Sequence, residues 1–415
     1  MGGVSAPVDC TDSSLSCASG EPQEVCLYGS ARVIGHRPGQ PCDWGSLNYT
    51  CTSLLAACEC PVGTAGVATS ALGKYTANPT DAAFVYTGPA MLWIFTLLLL
   101  PLYKCTSWKR TFQLPRALAE ASPGVLVAWL GLCVVATAVL IGLGYAIPAS
   151  AWGDCAARGV CVYHMMFCEA TRHHSIVRHP ANTWSNLPYL YMALGLSCLV
   201  VDEHVRRRSR PYQLLDTLFA AVLLCHTCAS VAWHASNCTD VHFIDIGLMN
   251  SVIAFFPLRF GGGSLALALG LREGRAFDAA LAAAFAALVL SQLAWASGMT
   301  PLYHRAFPTG HSRYLTLQPV EIMLYIGLPG LYPLPALVRM WLSRTWGCVP
   351  ALVVTVVSLP LGFCMHAVER LVIDLRCDPT SWLTQPTACF HICSGLAIAS
   401  AYVVARALEE DAHAV

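Results

Sequence analysis

Charge is scarce in this sequence. Asp, Glu, Lys and Arg make up 12% of the 415 residues, against roughly a quarter in a soluble domain, which excludes an ordinary water-soluble globule. Lys plus Arg and Asp plus Glu balance at 24 each, so no excess of positive charge points to a nucleic-acid partner, and none is expected. The opening MGGVSAPVDCTDSS lacks the apolar core of a secretory signal, so the first apolar span is expected to carry the N-terminal tail across a membrane. No internal repeat and no retention signal is visible.

Apolar side chains fill the chain instead, at 56% of residues and a mean hydropathy of +0.55. Runs of about 20 apolar residues, enough to cross ~30 Å of hydrocarbon, fall at 84–103, 124–148, 182–201, 213–234, 241–258, 277–297, 321–341, 349–368 and 386–405. The expected fold is an all-α polytopic membrane protein. A cysteine-rich tail over 1–83 precedes two leading spans over 84–148, a loop over 149–181, a seven-span core over 182–405 and a short acidic tail over 406–415.

Positive charge gives the orientation, because basic residues collect in short cytosolic segments. Lys104, Lys109, Arg110 and Arg116 follow the first span, and Arg206, Arg207, Arg208 and Arg210 the third. Arg259, Arg272 and Arg275 follow the fifth, Arg339 and Arg344 the seventh, and Arg406 the ninth. All fall on one side if the N-terminus is extracytosolic and the C-terminus cytosolic. Cys10, Cys17, Cys26, Cys42, Cys51, Cys58 and Cys60 then face an oxidising compartment, where they read as a disulfide framework. The stretch CECPVGTAG (58–66) looks like the last loop of an EGF-like module, and Asn48-Tyr49-Thr50 is a glycosylation sequon on the same face. An integral protein of the endomembrane system or the plasma membrane is expected.

Polar groups inside such a chain are costly and are functional candidates. In SVAWHASNCTDVHFID (230–245), Ser230 and His234 are four apart and share a helix face, and Asp245 opens the next span from the same side. His391 lies near the start of the last span, at the same level. Imidazoles that can ligate and a carboxylate that can hold a water are the residue types of a metal site. Taken singly, the histidines also suit interhelical hydrogen bonding, Ser230 packing at a helix end, and Asp245 a pairing with an Arg at the outer surface. A second set is FCEATRHHSIVRHPANTWSNL (167–187), with Glu169 and Asn182; there Asn182 or Thr183 also suits a helix N-cap and Trp184 an interfacial anchor. A third is GFCMHAVERLVIDLRC (362–377), with His366 and Glu369 one turn apart, which reads equally as a pair near the membrane surface.

Together and in this order, these segments resemble the alkaline ceramidase family, part of a group of seven-span proteins that includes the progestin/adiponectin receptors and a GPI-directed lipase. The likeness covers about 165–405. It rests on Cys168-Glu169, on Asn182-Thr183-Trp184-Ser185-Asn186, on Ser230-x-x-x-His234 with Asp245 eleven residues beyond, and on Thr387-Ala388-Cys389-Phe390-His391 opening the last span. The resemblance implies Zn²⁺-dependent hydrolysis of the amide bond of ceramide or a related N-acyl lipid. By position, His234 and His391 would hold zinc, Asp245 would orient or deprotonate the bound water, and Ser230 would hydrogen-bond the amide oxygen.

The departures are specific. Thr387 stands where the family has a further His ligand, leaving His366, His226 or His242 to supply it, or Asp245 to join two imidazoles as a ligand. Glu369 stands where the family has Asp. Only Glu169 remains of an acidic cluster that binds Ca²⁺ in some members, so calcium is not expected. Cys168 and Cys377 correspond to a disulfide pair in the family. Thr387 favours, as a second reading, a receptor or scaffold without turnover; the EGF-like stretch favours a third, hydrolysis of a GPI or glycolipid ester.

Overall fold

The computed structural model describes residues 41–44, 47–50, 122–147, 149–152, 176–206, 210–236, 238–271, 273–306, 333–343, 346–371 and 385–412. Near the N-terminus, β1 (Pro41–Trp44) and β2 (Leu47–Thr50) pair antiparallel, with Asp43 opposite Asn48. Every other regular element described is helical. These are α1 (Pro123–Ala146), α2 (Pro180–Trp184), α3 (Leu187–Val205), α4 (Gln213–Ser236), α5 (Thr239–Ala268), α6 (Arg275–Ala306), α7 (Pro333–Ser343), α8 (Val349–Leu371) and α9 (Pro386–Ala412), with a short 3₁₀ turn over Ala149–Trp152.

Six of the described segments are long and apolar enough to cross a membrane: Pro123–Gly144, Pro180–Val205, Gln213–Ser236, Val241–Ala268, Arg275–Met299 and Pro386–Glu409. A shorter apolar helix covers Val349–Met365. This is the helical membrane architecture expected from the apolar runs. The expected span at 84–103 and most of that at 321–341 lie outside the described residues, as does the cysteine framework apart from Cys42 on β1. Outward faces are apolar, with Val127, Val135, Leu290 and Trp341 all exposed, as hydrocarbon surroundings allow and water does not.

Local sequence sets the helix ends. Ser122 caps α1 by accepting from Val125 N at 3.2 Å, with Pro123 in the first turn. Gly270, at φ +64°, ends α5: Leu271 N donates to Ala266 O and Gly270 N to Leu267 O, the paired bonds of a Schellman cap. The expected span ends at 258, yet the helix continues through Gly261, Gly262 and Gly263 to Ala268. A Cβ on Gly263 would lie 1.3 Å from Arg339 Nη1, so this glycine admits the arginine that crosses it.

Neighbouring helices pack in sequence, α3 on α4, α4 on α5 and α5 on α6, while α9 closes the bundle against α2, α3, α5, α7 and α8. The core between them is aromatic. Phe219 stacks on Phe255 with centroids 3.8 Å apart, and Phe285 and Tyr402 flank them.

One end of the bundle is an ion-pair cluster. Arg210 reaches Glu203 (2.6 Å), Asp216 (2.8 Å) and Glu409 (3.1 Å). Arg259 pairs with Glu409 at 2.9 Å and lies over the Tyr212 ring, and Arg406 pairs with Glu203 at 2.6 Å. Close by, Arg339 pairs with Glu273 and donates to Tyr212 Oη. Arg210, Arg259, Arg339 and Arg406 thus share one end, as the charge pattern required. Three of them are not loop charges, however: Arg259, Arg339 and Arg406 are buried within helices. The acidic tail expected from 406 also changes character, because α9 runs to Ala412 and buries Glu409.

Candidate functional site

The opposite end is built from the C-terminal turns of α4 and the N-terminal turns of α3, α5 and α9. Along α4, His226, Ser230 and His234 recur every four residues and share one inward face, all three buried. Their level is set by the chain: 18 residues from Asp216 to His234 at 1.5 Å each place the site about 27 Å from the ion-pair end.

These residues line a cavity of about 30 Å³ with Tyr189, Trp233, His242, Asp245, Ile246, Met249, Phe363, Thr387, Phe390 and His391. One water-sized group needs ~10–15 Å³, so the space suits a small ion with a water. Ser230, His234, Asp245 and His391, drawn from three separate segments, therefore face a single void. His234 and His391 meet edge to face with ring centroids 4.9 Å apart. His226 Nδ1 stands 3.3 Å from Asp245 Oδ1, and His242 packs on Trp233 at 4.2 Å.

The Asn182–Asn186 segment explains how His391 is held. Arg178 N and His179 N donate to Ala235 O and His234 O, docking the lead-in segment onto the end of α4. Thr183 then sits inside α2 and donates its hydroxyl to His179 O, while Asn186 Nδ2 donates to Asn182 O. Neither Asn182 nor Thr183 is an N-cap: His179 precedes the helix, and Pro180 fills its first position. Trp184 is buried against Ile176 and Val177 rather than anchored at a surface. Ser185 Oγ donates to Asn182 O at 2.8 Å and lies 2.7 Å from His391 Nδ1. Where the hydroxyl proton goes to the carbonyl, Oγ accepts from Nδ1–H, and that tautomer leaves Nε2 of His391 unprotonated, the state a metal ligand needs.

Tyr189, which the sequence did not single out, lines the same cavity. Its ring edges both His226 (5.3 Å) and His391 (6.0 Å), and its hydroxyl bonds to Ser394 Oγ. No periodicity distinguishes it from a core tyrosine; only the convergence of α3, α4 and α9 does.

Among the described residues, no three His, Cys, Asp or Glu side chains are close enough together, as they stand, to hold a metal ion. Zinc fits the site by donor chemistry rather than by a finished geometry. Several buried imidazoles and one carboxylate border one small void, and Ser185 Oγ holds Nδ1 of His391. Thr387 is buried on the cavity wall in the place expected of a further imidazole. Of the three alternatives to it, His226 and His242 both line the cavity; the side chain of His366, and that of Glu369, lie outside the described residues, as do Cys168, Glu169 and Cys377. Asn48 lies on β2, with nothing described of its side chain.

Compared with known proteins, the chain matches no family model, no curated sequence and no solved structure.

Proposed function

We propose that this protein is a membrane-embedded, metal-dependent hydrolase that cleaves the amide bond of ceramide or a related N-acyl lipid, in the manner of the alkaline ceramidases it resembles. The observation that carries the reading is convergence. Ser230, His234, Asp245 and His391 were picked out in the sequence by residue type and spacing, and all four border one buried cavity.

His234 and His391 would hold the ion. Zinc bound there would supply Lewis acidity and a water whose pKa is brought toward ~7. Asp245 is the carboxylate on the cavity wall and takes the proton of the attacking water. Ser230 donates its hydroxyl to the amide oxygen as negative charge develops on it. Ile246, Met249, Phe363 and Phe390 make part of the cavity wall apolar, the kind of lining an acyl chain approaching from the bilayer would meet. Ceramide is amphipathic, which suits a polar site within an apolar bundle. The positive-inside pattern of the sequence supports an imidazole end on the extracytosolic face of an endomembrane or plasma membrane, with the cysteine-rich tail and its Asn48 sequon on the same side.

The direct test is turnover of a fluorescent N-acyl sphingosine by the purified protein in mixed micelles. Release of fatty acid that disappears in His234→Ala supports the reading; no release from folded wild type contradicts it. One observation favours a second reading, a receptor or scaffold without turnover: Thr387, which cannot ligate as an imidazole does, occupies the cavity wall. Tight lipid binding without product would select it.

A further inference from the structure

We propose that His226 is the positioning residue for Asp245, an inference that rests on the hydrolase reading above. The sequence left His226 as one of several alternatives for a missing metal ligand. Its surroundings assign it a different task.

Asp245 is a buried carboxylate, 8% exposed, in an apolar bundle. Such a group is expensive unless a donor faces it. The arginines of the ion-pair cluster gather toward the other end: His226, which faces Asp245, is about 15 Å along α4 from Asp216 by helix rise. What faces Asp245 Oδ1 is His226 Nδ1, at 3.3 Å. Both atoms are buried without a hydrogen bond to any described residue, and the 3.3 Å contact between them falls short of hydrogen-bond geometry as it stands. A small rotation of the imidazole turns Nδ1–H onto Oδ1 and gives the carboxylate its donor.

The donor is itself held. The Tyr189 ring meets His226 edge to face, 63° between planes, and is anchored by the Ser394 hydroxyl on α9. His226 is 3% exposed and, as part of the α4 face that carries Ser230 and His234, lies two turns below the latter. A chain of contacts from Ser394 through Tyr189 and His226 therefore ends on Asp245. It fixes which carboxylate oxygen is engaged and which is left for the water. A base with one oxygen pinned is oriented before substrate arrives, and a displacement of about 1 Å at such a group costs about 10²-fold in rate.

The test uses three variants of the full-length protein, each measured for zinc content, kcat and KM with the same N-acyl sphingosine. His226→Ala removes the donor. His226→Asn returns an N–H at the position of Nδ1, and His226→Gln returns one at the position of Nε2. The expected result is zinc retained in all three, kcat lowered about 10²-fold in the Ala and Gln variants with KM nearly unchanged, and most of the rate recovered by Asn. Zinc lost from His226→Ala would overturn the proposal by making His226 a metal ligand. An unchanged kcat, or recovery by Gln rather than Asn, would also overturn it. Failure of the hydrolase reading itself looks different, because wild type would then show neither zinc nor turnover. The contact is decided independently by a thermal-unfolding cycle of His226→Ala, Asp245→Asn and the double variant. Non-additive shifts in Tm support the pair; additive shifts overturn it.

Discussion

The two ends of this helix bundle both bury charge, and they do so to opposite effect. At one end Glu203, Asp216 and Glu409 meet Arg210, Arg259 and Arg406, contacts running from 2.6 to 4.0 Å, and the groups close upon one another. At the other end one carboxylate, Asp245, stands among four imidazoles around a void. Arginine cannot lose its proton in a protein and has no lone pair to offer, so the first end can only lock helices together. Imidazole can ligate, donate or accept, so the second can do chemistry. Cost alone does not mark a functional site in a membrane; the kind of partner and the space left between partners do.

The comparison can be broken by substitutions at either end. The largest effect is expected from His391→Ala, which removes a proposed ligand and should bring lipid hydrolysis to background while the helical circular dichroism stays that of wild type. Asp245→Asn keeps the side-chain shape and should lower kcat by about 10²–10⁴-fold, the range of a general base, with zinc still bound by elemental analysis. At the ion-pair end, Glu409→Ala leaves buried arginines uncompensated and should cost about 3–5 kcal/mol of stability. That loss is read as a lower Tm in detergent, with turnover per folded molecule unchanged. Ser185→Ala is the mildest: losing the acceptor that fixes His391 should weaken zinc binding or activity about 10–100-fold, measured by competition with a chelator. If Glu409→Ala abolished turnover without unfolding, or His391→Ala unfolded the chain, the division of labour between the ends would be wrong.

Much of this arrangement was legible in the sequence because hydrocarbon imposes simple rules. Apolar runs marked the helices to within a turn at α1 and α4, where Pro123 and the Gln213 region give clear starts. At α5 the expected span stopped at 258, short of the helix end at Ala268; Gly263 lies in the part missed, where it admits Arg339. The arginines were counted on the correct end but taken for loop charges. The signal that they are buried lay in Glu203, Asp216 and Glu409, carboxylates inside apolar segments at the same end. In the site, Ser230, His234 and Asp245 were found through four-residue spacing and chain order, which need only local geometry. Tyr189 and the His226–Asp245 contact depend on how α3, α4, α5 and α9 meet, and no local pattern encodes that meeting. The Asn182–Asn186 segment was noticed as a motif, but its work through Ser185 on His391 required the packed helices.

The measurement that tests the central claim most directly is the zinc content of purified, folded wild-type protein, with His234→Ala alongside. About one zinc per chain, as a single catalytic site requires, lost in the variant, is the result predicted by a site built on His234 and His391. Folded protein without zinc, or a His234→Ala variant with wild-type zinc and turnover, would contradict it.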